Sequence, residues 1–329
     1  MSLQIVQART STVLGLSCNP TDNPDFQFNY CPSLGAAILF TALFGLSVLS
    51  HVFQARHHKK WFCWVLIMGA IWEFISSATR IESIKSPFDK QVSQTTFVFL
   101  VLAPLWINAF DYMVLGRMVH YYLPDKQLVG VKAQRFALYF VSLDITSFIV
   151  QLVGALTTVG NNKKPSTVAT GLHIYTAGVC LQQAVILSFL ILCILFQRRM
   201  NRESERNLIQ GNRLVIALYI SLALITYRII FRIIEFSAGN DSVIHNTLDN
   251  NEWYMYVFDE APMFLALIVF HVYHPGHVLI GPESEYPKPS REDKAARGRG
   301  SGWRFWIRNA GDGKMAKRDG YLLSSPGNK

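Results

Sequence analysis

The sequence alternates between long apolar runs and short polar gaps. Seven runs are long enough to cross the hydrocarbon core of a bilayer, which takes roughly 20 helical residues at 1.5 Å each. The gaps between them are too short to hold a folded domain of their own. The runs are Leu34–Phe53, Trp61–Ala78, Thr95–Leu115, Phe136–Val159, Gly171–Phe196, Leu214–Phe236 and Trp253–Tyr273.

These runs predict an all-α integral membrane protein, a seven-transmembrane helix bundle. Backbone N–H and C=O groups in lipid must be hydrogen-bonded within the segment, which a helix achieves and an open strand does not. The chain of 329 residues is 50% hydrophobic and 16% charged, with a mean hydropathy of +0.22. Soluble domains carry about 25% charged residues. Composition therefore excludes a soluble protein, and the short gaps leave no room for a catalytic domain.

Lys and Arg residues are distributed unevenly among the gaps. Of the 31, 23 fall in the first, third and fifth gaps and in the tail, and five fall in the N-terminal segment and the other gaps. The remaining three, Arg80, Arg228 and Arg232, lie inside the runs or at their ends. Because cytosolic loops are enriched in Lys and Arg, this predicts an external N-terminus and a cytosolic C-terminus. The predicted organisation is an extracellular segment (1–33), a seven-helix domain (34–276) and a disordered basic tail (277–329). Basic residues anchored at a membrane do not indicate nucleic-acid binding.

Two features agree with an external N-terminus. The sequence Asn240-Asp241-Ser242 is a candidate glycosylation site, and it falls in the sixth gap, on the predicted outer side. Cys18 and Cys31 lie in the outer N-terminal segment, where an oxidising environment would allow them to form a disulfide.

Ionisable residues within the runs are the candidate functional residues. A charge at the bilayer centre costs about 2.5–3.5 kcal/mol, so such side chains usually face the bundle interior and find partners. With the predicted topology, three arginines and three acids converge on the outer half of helices 2, 6 and 7, where their formal charges cancel. They are Glu73, Arg80, Arg228, Arg232, Glu235 and Asp259.

These six residues predict an Arg–carboxylate network between helices. Arg228 and Arg232 are four residues apart and Glu235 follows three residues later, so all three share one helix face. One interpretation is that the network only fixes helix packing. The other is a polar cavity or gate for an amphipathic ligand, which is favoured because six ionisable groups exceed what helix register requires.

Polar residues of helices 4 and 5 lie at a similar depth. Asp144 lies near mid-membrane with Gln151 two turns away, and Gln182 occupies a comparable position on helix 5. We expect them to line the same cavity or to hydrogen-bond between helices. Asp144 has no obvious Arg partner, which makes it the first candidate for a proton site. Pro262 predicts a kink in helix 7.

Short motifs spread over the runs occur together and carry a resemblance. They are Tyr30-x-Pro32-Ser33, Glu73 with Arg80, Leu102-Ala103-Pro104, Asp144 with Gln151, Gln182, Arg228-x-x-x-Arg232-x-x-Glu235, Glu252, Tyr256-Val257-Phe258-Asp259-x-x-Pro262-Met263 and His274-Pro275-Gly276. From Tyr30 to Gly276 the chain resembles the fungal RTA-like family (resistance to aminocholesterol), also called the lipid-translocating exporter family.

The resemblance implies a membrane transporter that moves amphipathic, lipid-like molecules such as sphingoid bases or sterol-like toxins and so confers resistance. It implies membrane lipids and amphipathic small molecules as partners and the fungal plasma membrane as location. We expect no cofactor, catalytic residue or bound metal, and no GxxxxGK[ST] sequence indicates direct use of ATP. The structural motif residues would be Pro104, Pro262, His274, Pro275 and Gly276.

Two alternatives remain open. A seven-helix bundle with an external N-terminus is also the layout of receptors, so the chain could sense lipids and act on resistance indirectly. A zinc-dependent membrane hydrolase is the more remote alternative. It would use His271, His274 and His277, with His51 at the same end of the bundle.

Overall fold

The computed structural model describes residues 12–13, 16–17, 26–158, 164–204, 206–237, 246–248 and 250–286. The predicted disulfide partner Cys18, the glycosylation candidate Asn240 and the tail from residue 287 lie outside these ranges. The chain divides into two units, residues 1–284 and 285–329. Cys31 is disulfide-bonded, while Cys63, Cys180 and Cys193 are free thiols.

Seven helical segments among the described residues are long and apolar enough to cross a membrane, in agreement with the predicted seven-span, all-helical architecture. Most extend beyond the apolar run that predicted them, because polar residues cap and prolong their ends. The first six are α1 (Leu34–His57), α2 (Trp64–Lys85, preceded by a 3-10 turn at Trp61–Cys63), α3 (Lys90–Tyr122), α4 (Ala133–Thr158), α5 (Pro165–Glu203) and α6 (Leu208–Ser237).

The seventh span is composite. It consists of α7 (Trp253–Met255), a π-helical turn (Tyr256–Glu260) and α8 (Ala261–Val272), and the short α9 (Pro275–Val278) follows. In the π turn the amide of Ala261 bonds to the carbonyl of Tyr256, five residues earlier. Pro262 stands in the first turn of α8, where a missing N–H is tolerated. The irregularity expected from Pro262 therefore takes the form of a π turn just before it.

Two short hairpins are the only strands among the described residues. β1 (Thr12–Val13) pairs with β2 (Leu16–Ser17), and β3 (Gln127–Leu128) pairs with β4 (Val131–Lys132) between α3 and α4.

The helices pack in chain order, and the seventh span closes against the first. Each of α1 to α5 contacts the next helix, α8 contacts α6 and α1, and α3 also reaches α5, α6 and α8. α3 is therefore the central helix, and its Ile107, Phe110 and Leu115 are fully buried. The outer faces carry exposed apolar side chains such as Leu49 of α1 and Ile149 of α4. Such a surface suits lipid rather than water.

Glycines bring α4 and α5 into close contact. A Cβ added at Gly154 would lie 2.4 Å from the backbone nitrogen of Tyr175, and one at Gly178 would lie 2.8 Å from the backbone nitrogen of Gln151. Small residues at a helix interface let two backbones approach in this way. The spacing of α4 and α5 therefore depends on these positions having no side chain.

Candidate functional site

The two ends of the bundle are named by α1: it begins at the Ser33 end and finishes at the His57 end. Towards the Ser33 end, Asp259 forms ion pairs with two arginines of α6. Its Oδ1 pairs with Arg228 Nε and its Oδ2 with Arg232, while Arg232 also contacts Glu235 at 2.8 Å. We call these four residues the Asp259 cluster. Asp259 has no exposed surface, so its charge is balanced by the arginines rather than by water.

Local structure places this cluster. Arg228, Arg232 and Glu235 share one face of α6, as their spacing predicted. On the seventh span, Asp259 and Glu260 are adjacent in sequence, yet both are buried. They lie inside the π turn, and such turns often occur at functional sites.

The proline in α3 supplies a further partner for Arg228. A proline has no N–H, so Pro104 leaves the carbonyl of Leu100, four residues earlier, without its usual helical hydrogen bond. Arg228 Nη2 donates to that carbonyl at 3.0 Å. Pro104 thus provides an acceptor for a buried arginine, a role that the sequence pattern did not indicate.

Arg80 belongs to a second group of residues. Its Nη2 donates to Glu252 Oε1 at 2.8 Å and to the Tyr30 hydroxyl at 2.9 Å, and its Nε donates to the Tyr256 hydroxyl at 3.2 Å. Glu252 Oε2 also accepts from the backbone amide of Ser33 at 2.6 Å. We call Tyr30, Ser33, Arg80, Glu252 and Tyr256 the Arg80 cluster. It joins the start of α1, the end of α2 and the start of the seventh span.

This arrangement corrects the expected single network of six residues. The ion-pair partner of Arg80 is Glu252, which precedes the seventh apolar run, and not an acid within the runs. In the sequence, Glu252 is distinguished only as part of a motif. The signal that could have identified it is its position one helical turn before Tyr256, whose hydroxyl donates to Glu252 Oε1 at 3.2 Å.

Glu73 is not hydrogen-bonded to either cluster. It is fully buried, and neither carboxylate oxygen accepts a hydrogen bond from any residue in the described ranges. Its electrostatic neighbours include Arg228, Asp259 and Glu260. Glu73 therefore faces the Asp259 cluster from α2 without a direct bond to it.

The polar residues of α4 and α5 form two separate pairs of contacts. Asp144 Oδ2 accepts from the Tyr112 hydroxyl at 2.8 Å and from Asn108 at 3.2 Å, so its bonded partners are neutral. Gln151 donates to Gln182 at 3.0 Å between α4 and α5. The expected proximity of Gln151 and Gln182 holds, whereas Asp144 bonds to α3.

A polar cavity opens beside the two clusters at the Ser33 end. It has a volume of about 300 Å³. Arg80, Arg232 and Glu235 line it together with Tyr30 and Asn251. We call it the polar chamber. The Glu235 side chain is 30% exposed, whereas that of Glu252 is 10% exposed and that of Asp259 is fully buried. Glu235 is therefore the most accessible of these three carboxylates.

A larger apolar cavity adjoins the polar chamber. It has a volume of about 400 Å³ and lies between α3, α4 and α5, with Val101, Leu152 and Ala155 in its wall and Gln151 at one side. We call it the apolar cleft. Ser93, Phe97 and Phe236 line both cavities. The bundle thus contains a charged cavity and an apolar cavity that adjoin each other.

Histidines near the His57 end are engaged within the protein. His271 Nδ1 contacts Gln54 Oε1 at 3.0 Å, and His274 Nε2 contacts Cys63 Sγ at 3.6 Å. The other ring nitrogen of His274 accepts from the amide of Gly276 at 3.0 Å, which makes the His-Pro-Gly motif a helix cap. Within the described ranges, no three His, Cys, Asp or Glu residues are arranged to hold a metal ion. The four histidines considered as zinc ligands lie within these ranges: His51, His271, His274 and His277.

Comparison with known proteins assigns the chain to a family. The family described as RTA1 like protein matches residues 66–281. A protein named Probable lipid transporter atnI, from Emericella nidulans, is 40% identical over 275 residues, which cover 80% of this chain and 71% of that protein. No solved structure matches the chain.

Two proteins from Saccharomyces cerevisiae are also similar to this chain. Protein RTA1 is 30% identical over 75% of this chain and 84% of its own length. Sphingoid long-chain base transporter RSB1 is 24% identical over 78% of this chain and 75% of its own length. The family match spans more than half of the chain and includes the arginines of both clusters, the π turn and the His-Pro-Gly cap. The chain therefore belongs to the RTA1-like family.

Proposed function

We propose that this protein translocates amphipathic lipids, with long-chain amino bases as the substrate class. The observation that carries the proposal is the contact between the polar chamber and the apolar cleft through Ser93, Phe97 and Phe236. A molecule with a polar head and a hydrocarbon chain fits both at once. The relatives named as a probable lipid transporter and a sphingoid long-chain base transporter support the same class.

Glu235 is the carboxylate in the chamber wall that could hold a cationic head group, because the two arginines of that wall, Arg80 and Arg232, are paired with Glu252 and Asp259. The carboxylates of Glu252 and Asp259 are buried against their arginines, whereas Glu235 is partly exposed at the chamber wall. An ammonium group would add a second cation beside a carboxylate that already contacts Arg232. Exchange between these two cations would allow the head group to bind Glu235 while Arg232 retains its ion pair with Asp259, a carboxylate that Arg232 shares with Arg228.

We further propose that the Ser33 end faces outward and the His57 end the cytosol, in the fungal plasma membrane, with residues 277–329 as a cytosolic tail. The asymmetric distribution of Lys and Arg supports this orientation. The two cavities would then open towards the outer leaflet. Binding there suits a protein that exports or flips a lipid, and no catalytic step is required.

Transport by the purified full-length protein tests this proposal. The protein is reconstituted in liposomes and the transbilayer movement of a fluorescent sphingoid base is followed. The Glu235→Gln variant keeps the side-chain shape and loses the charge. We expect its rate to fall about tenfold, the effect of losing about 1.4 kcal/mol of head-group attraction.

Glu82→Gln is the matched control, since Glu82 is an exposed residue of α2 and, like Glu235, lies near the Ser33 end of the bundle. Its rate should equal that of the unmodified protein. Equal rates for both variants would contradict the role of Glu235. If the purified protein moves no labelled base while cells expressing it survive toxic bases, translocation is wrong and the lipid-sensor alternative is favoured.

A further inference from the structure

A separate groove lies at the His57 end, between α1 and α2, far from the polar chamber and the apolar cleft. Its volume is about 410 Å³. Its wall includes three basic residues and three large apolar ones: Arg56, Lys59, Lys60, Trp61, Trp64 and Ile67. We call it the α1–α2 groove. The proposed function does not use it.

The groove is positively charged. Arg56 and Lys59 are exposed, and Lys60 Nζ donates to the Ser284 hydroxyl at 2.8 Å. None of the described residues that line the groove is acidic. Three cationic side chains from a segment of five residues therefore line the same groove.

Backbone geometry holds these side chains together. The amide of Lys60 bonds to the carbonyl of Ala55 at 3.2 Å, and the amide of Lys59 bonds to the carbonyl of Arg56 at 3.3 Å. This pair of bonds is the Schellman motif that ends many helices, with Lys59 in the left-handed position at φ 54°. Glycine is the usual residue there because a side chain is disfavoured sterically. The chain instead carries a lysine, at some cost to the fold.

Tryptophans form the apolar side of the groove. Trp61 is 88% exposed and Trp64 is 51% exposed. Tryptophan is enriched at the boundary between lipid head groups and acyl chains, where its ring is partly apolar and its N–H can meet polar groups. Ile67 continues this wall along α2, one turn further into the span. The groove thus runs from cationic groups at one end to apolar groups at the other.

We propose that the α1–α2 groove binds an anionic phospholipid such as phosphatidylserine. The phosphate and carboxylate of the head group lie against Arg56 and Lys59, and an acyl chain lies along Trp64 and Ile67. Basic pockets between membrane helices bind anionic head groups in this manner. A free anion would satisfy the cations but leave the tryptophan wall without a partner, so the lipid is the better match.

Lipid binding to the purified full-length protein tests the proposal. Native mass spectrometry counts bound dioctanoyl-phosphatidylserine and dioctanoyl-phosphatidylcholine at equal concentrations. We expect preferential binding of phosphatidylserine. Lys59→Gly and Arg56→Gln should each weaken it about fivefold, the effect of removing one cation near an anionic head group. Lys59→Gly should melt at a temperature equal to or above that of the unmodified protein, since glycine suits the left-handed position.

Lys126→Gly is the matched control. Lys126 also has φ 54°, is exposed and follows a helix at the His57 end, but it does not line the groove. Its variant should bind phosphatidylserine normally. Equal binding of the two lipids, or an equal loss in Lys126→Gly, would overturn the proposal. Displacement of the lipid by glycerophosphoserine or inorganic phosphate at the same concentration would overturn it as well, because the site would then belong to a free anion.

Discussion

At the residue scale, one carboxylate is shared between two buried arginines. Asp259 contacts Arg228 and Arg232 from the π turn, and the carbonyl that Pro104 leaves open in α3 gives Arg228 a second acceptor. Buried charges are tolerated only when paired and hydrogen-bonded. The loss of Asp259 would therefore affect more than one helix.

The Asp259→Asn variant tests this. Removing one partner of a buried ion pair leaves an uncompensated charge, and we expect the free energy of unfolding to fall by about 3 kcal/mol or more. Thermal unfolding of the purified protein in detergent measures the change. Asp89→Asn is the control, since Asp89 caps α3 by accepting from the amides of Gln91 and Val92 and asparagine caps equally well. A melting temperature for Asp259→Asn equal to that of the control would contradict the pairing.

We expect His58 to make the stability of the protein depend on pH. His58 lies between α1 and the turn before α2, and its ring contacts those of His274 and His277. Burial, and then the charges of His277 and His57, lower the pKa of His58 below its ordinary value. The unfolded chain therefore takes up a proton first as the pH falls. Stability from this group is complete above about pH 6.5 and declines below it.

Thermal unfolding between pH 7.5 and pH 5.5 measures this effect. We expect the melting temperature of the unmodified protein to fall over this range, and the fall to be smaller in His58→Gln, which cannot take up the proton. Glutamine also retains a hydrogen-bonding group of similar reach. Parallel pH profiles for the two proteins would show that His58 does not contribute.

At the element scale, the sequence predicted all seven spanning helices, because an apolar run of about 20 residues is rare in any segment that does not cross a bilayer. The ends were predicted less well. α3 begins at Lys90, before its apolar run, since Asp89 caps it, and α5 continues to Glu203 through a basic segment. The π turn at Tyr256–Glu260 was not predicted, because the position of Pro262 suggests an irregularity without specifying its form.

The close pair α4 and α5 provides a prediction at this scale. An alanine at Gly154 would place its Cβ 2.4 Å from the backbone of Tyr175. Neither backbone can yield without separating the helices, so we expect Gly154→Ala to lower stability by about 1–3 kcal/mol. Gly35→Ala is the control, because a Cβ there meets its nearest atom at 3.9 Å and alanine favours a helix. Thermal unfolding of both variants tests the difference, and equal melting temperatures would contradict it.

At the scale of the whole bundle, the candidate site depends on contacts between distant parts of the chain. Sequence spacing correctly grouped Arg228, Arg232 and Glu235, because local periodicity fixes which residues share a helix face. It assigned Arg80 wrongly, since Glu252 lies 172 residues away and outside any apolar run. Periodicity carries no information on such pairs. The two adjoining cavities were likewise expected only in general terms.

The apolar cleft predicts a dependence on substrate chain length. Ala155 lines the cleft, and Ala155→Trp would fill part of its volume of about 400 Å³. If the hydrocarbon chain of the substrate occupies the cleft, transport of an 18-carbon base should fall by about tenfold, since tryptophan displaces part of the chain and a loss of about 1.4 kcal/mol of packing corresponds to that factor. Transport of an eight-carbon base should change less.

Ala42→Trp is the control for this experiment, since Ala42 lies on the exposed outer face of α1. Its transport of both bases should match that of the unmodified protein. Rates are measured in liposomes with the purified protein. An equal decrease for the short and the long base in Ala155→Trp would contradict chain binding in the cleft.

The position of the acids on the last span has a consequence for biogenesis. Arg80 and Arg228 are synthesised and threaded into the membrane well before Glu252 and Asp259, which supply their counterions. A nascent chain that has inserted only six spans holds these arginines without their ion-pair partners. Arrival of the seventh span therefore completes charge neutralisation and closes the bundle against α1 in one step. Chains that stall or terminate after Ser237 would display unpaired arginines to the machinery that removes defective membrane proteins.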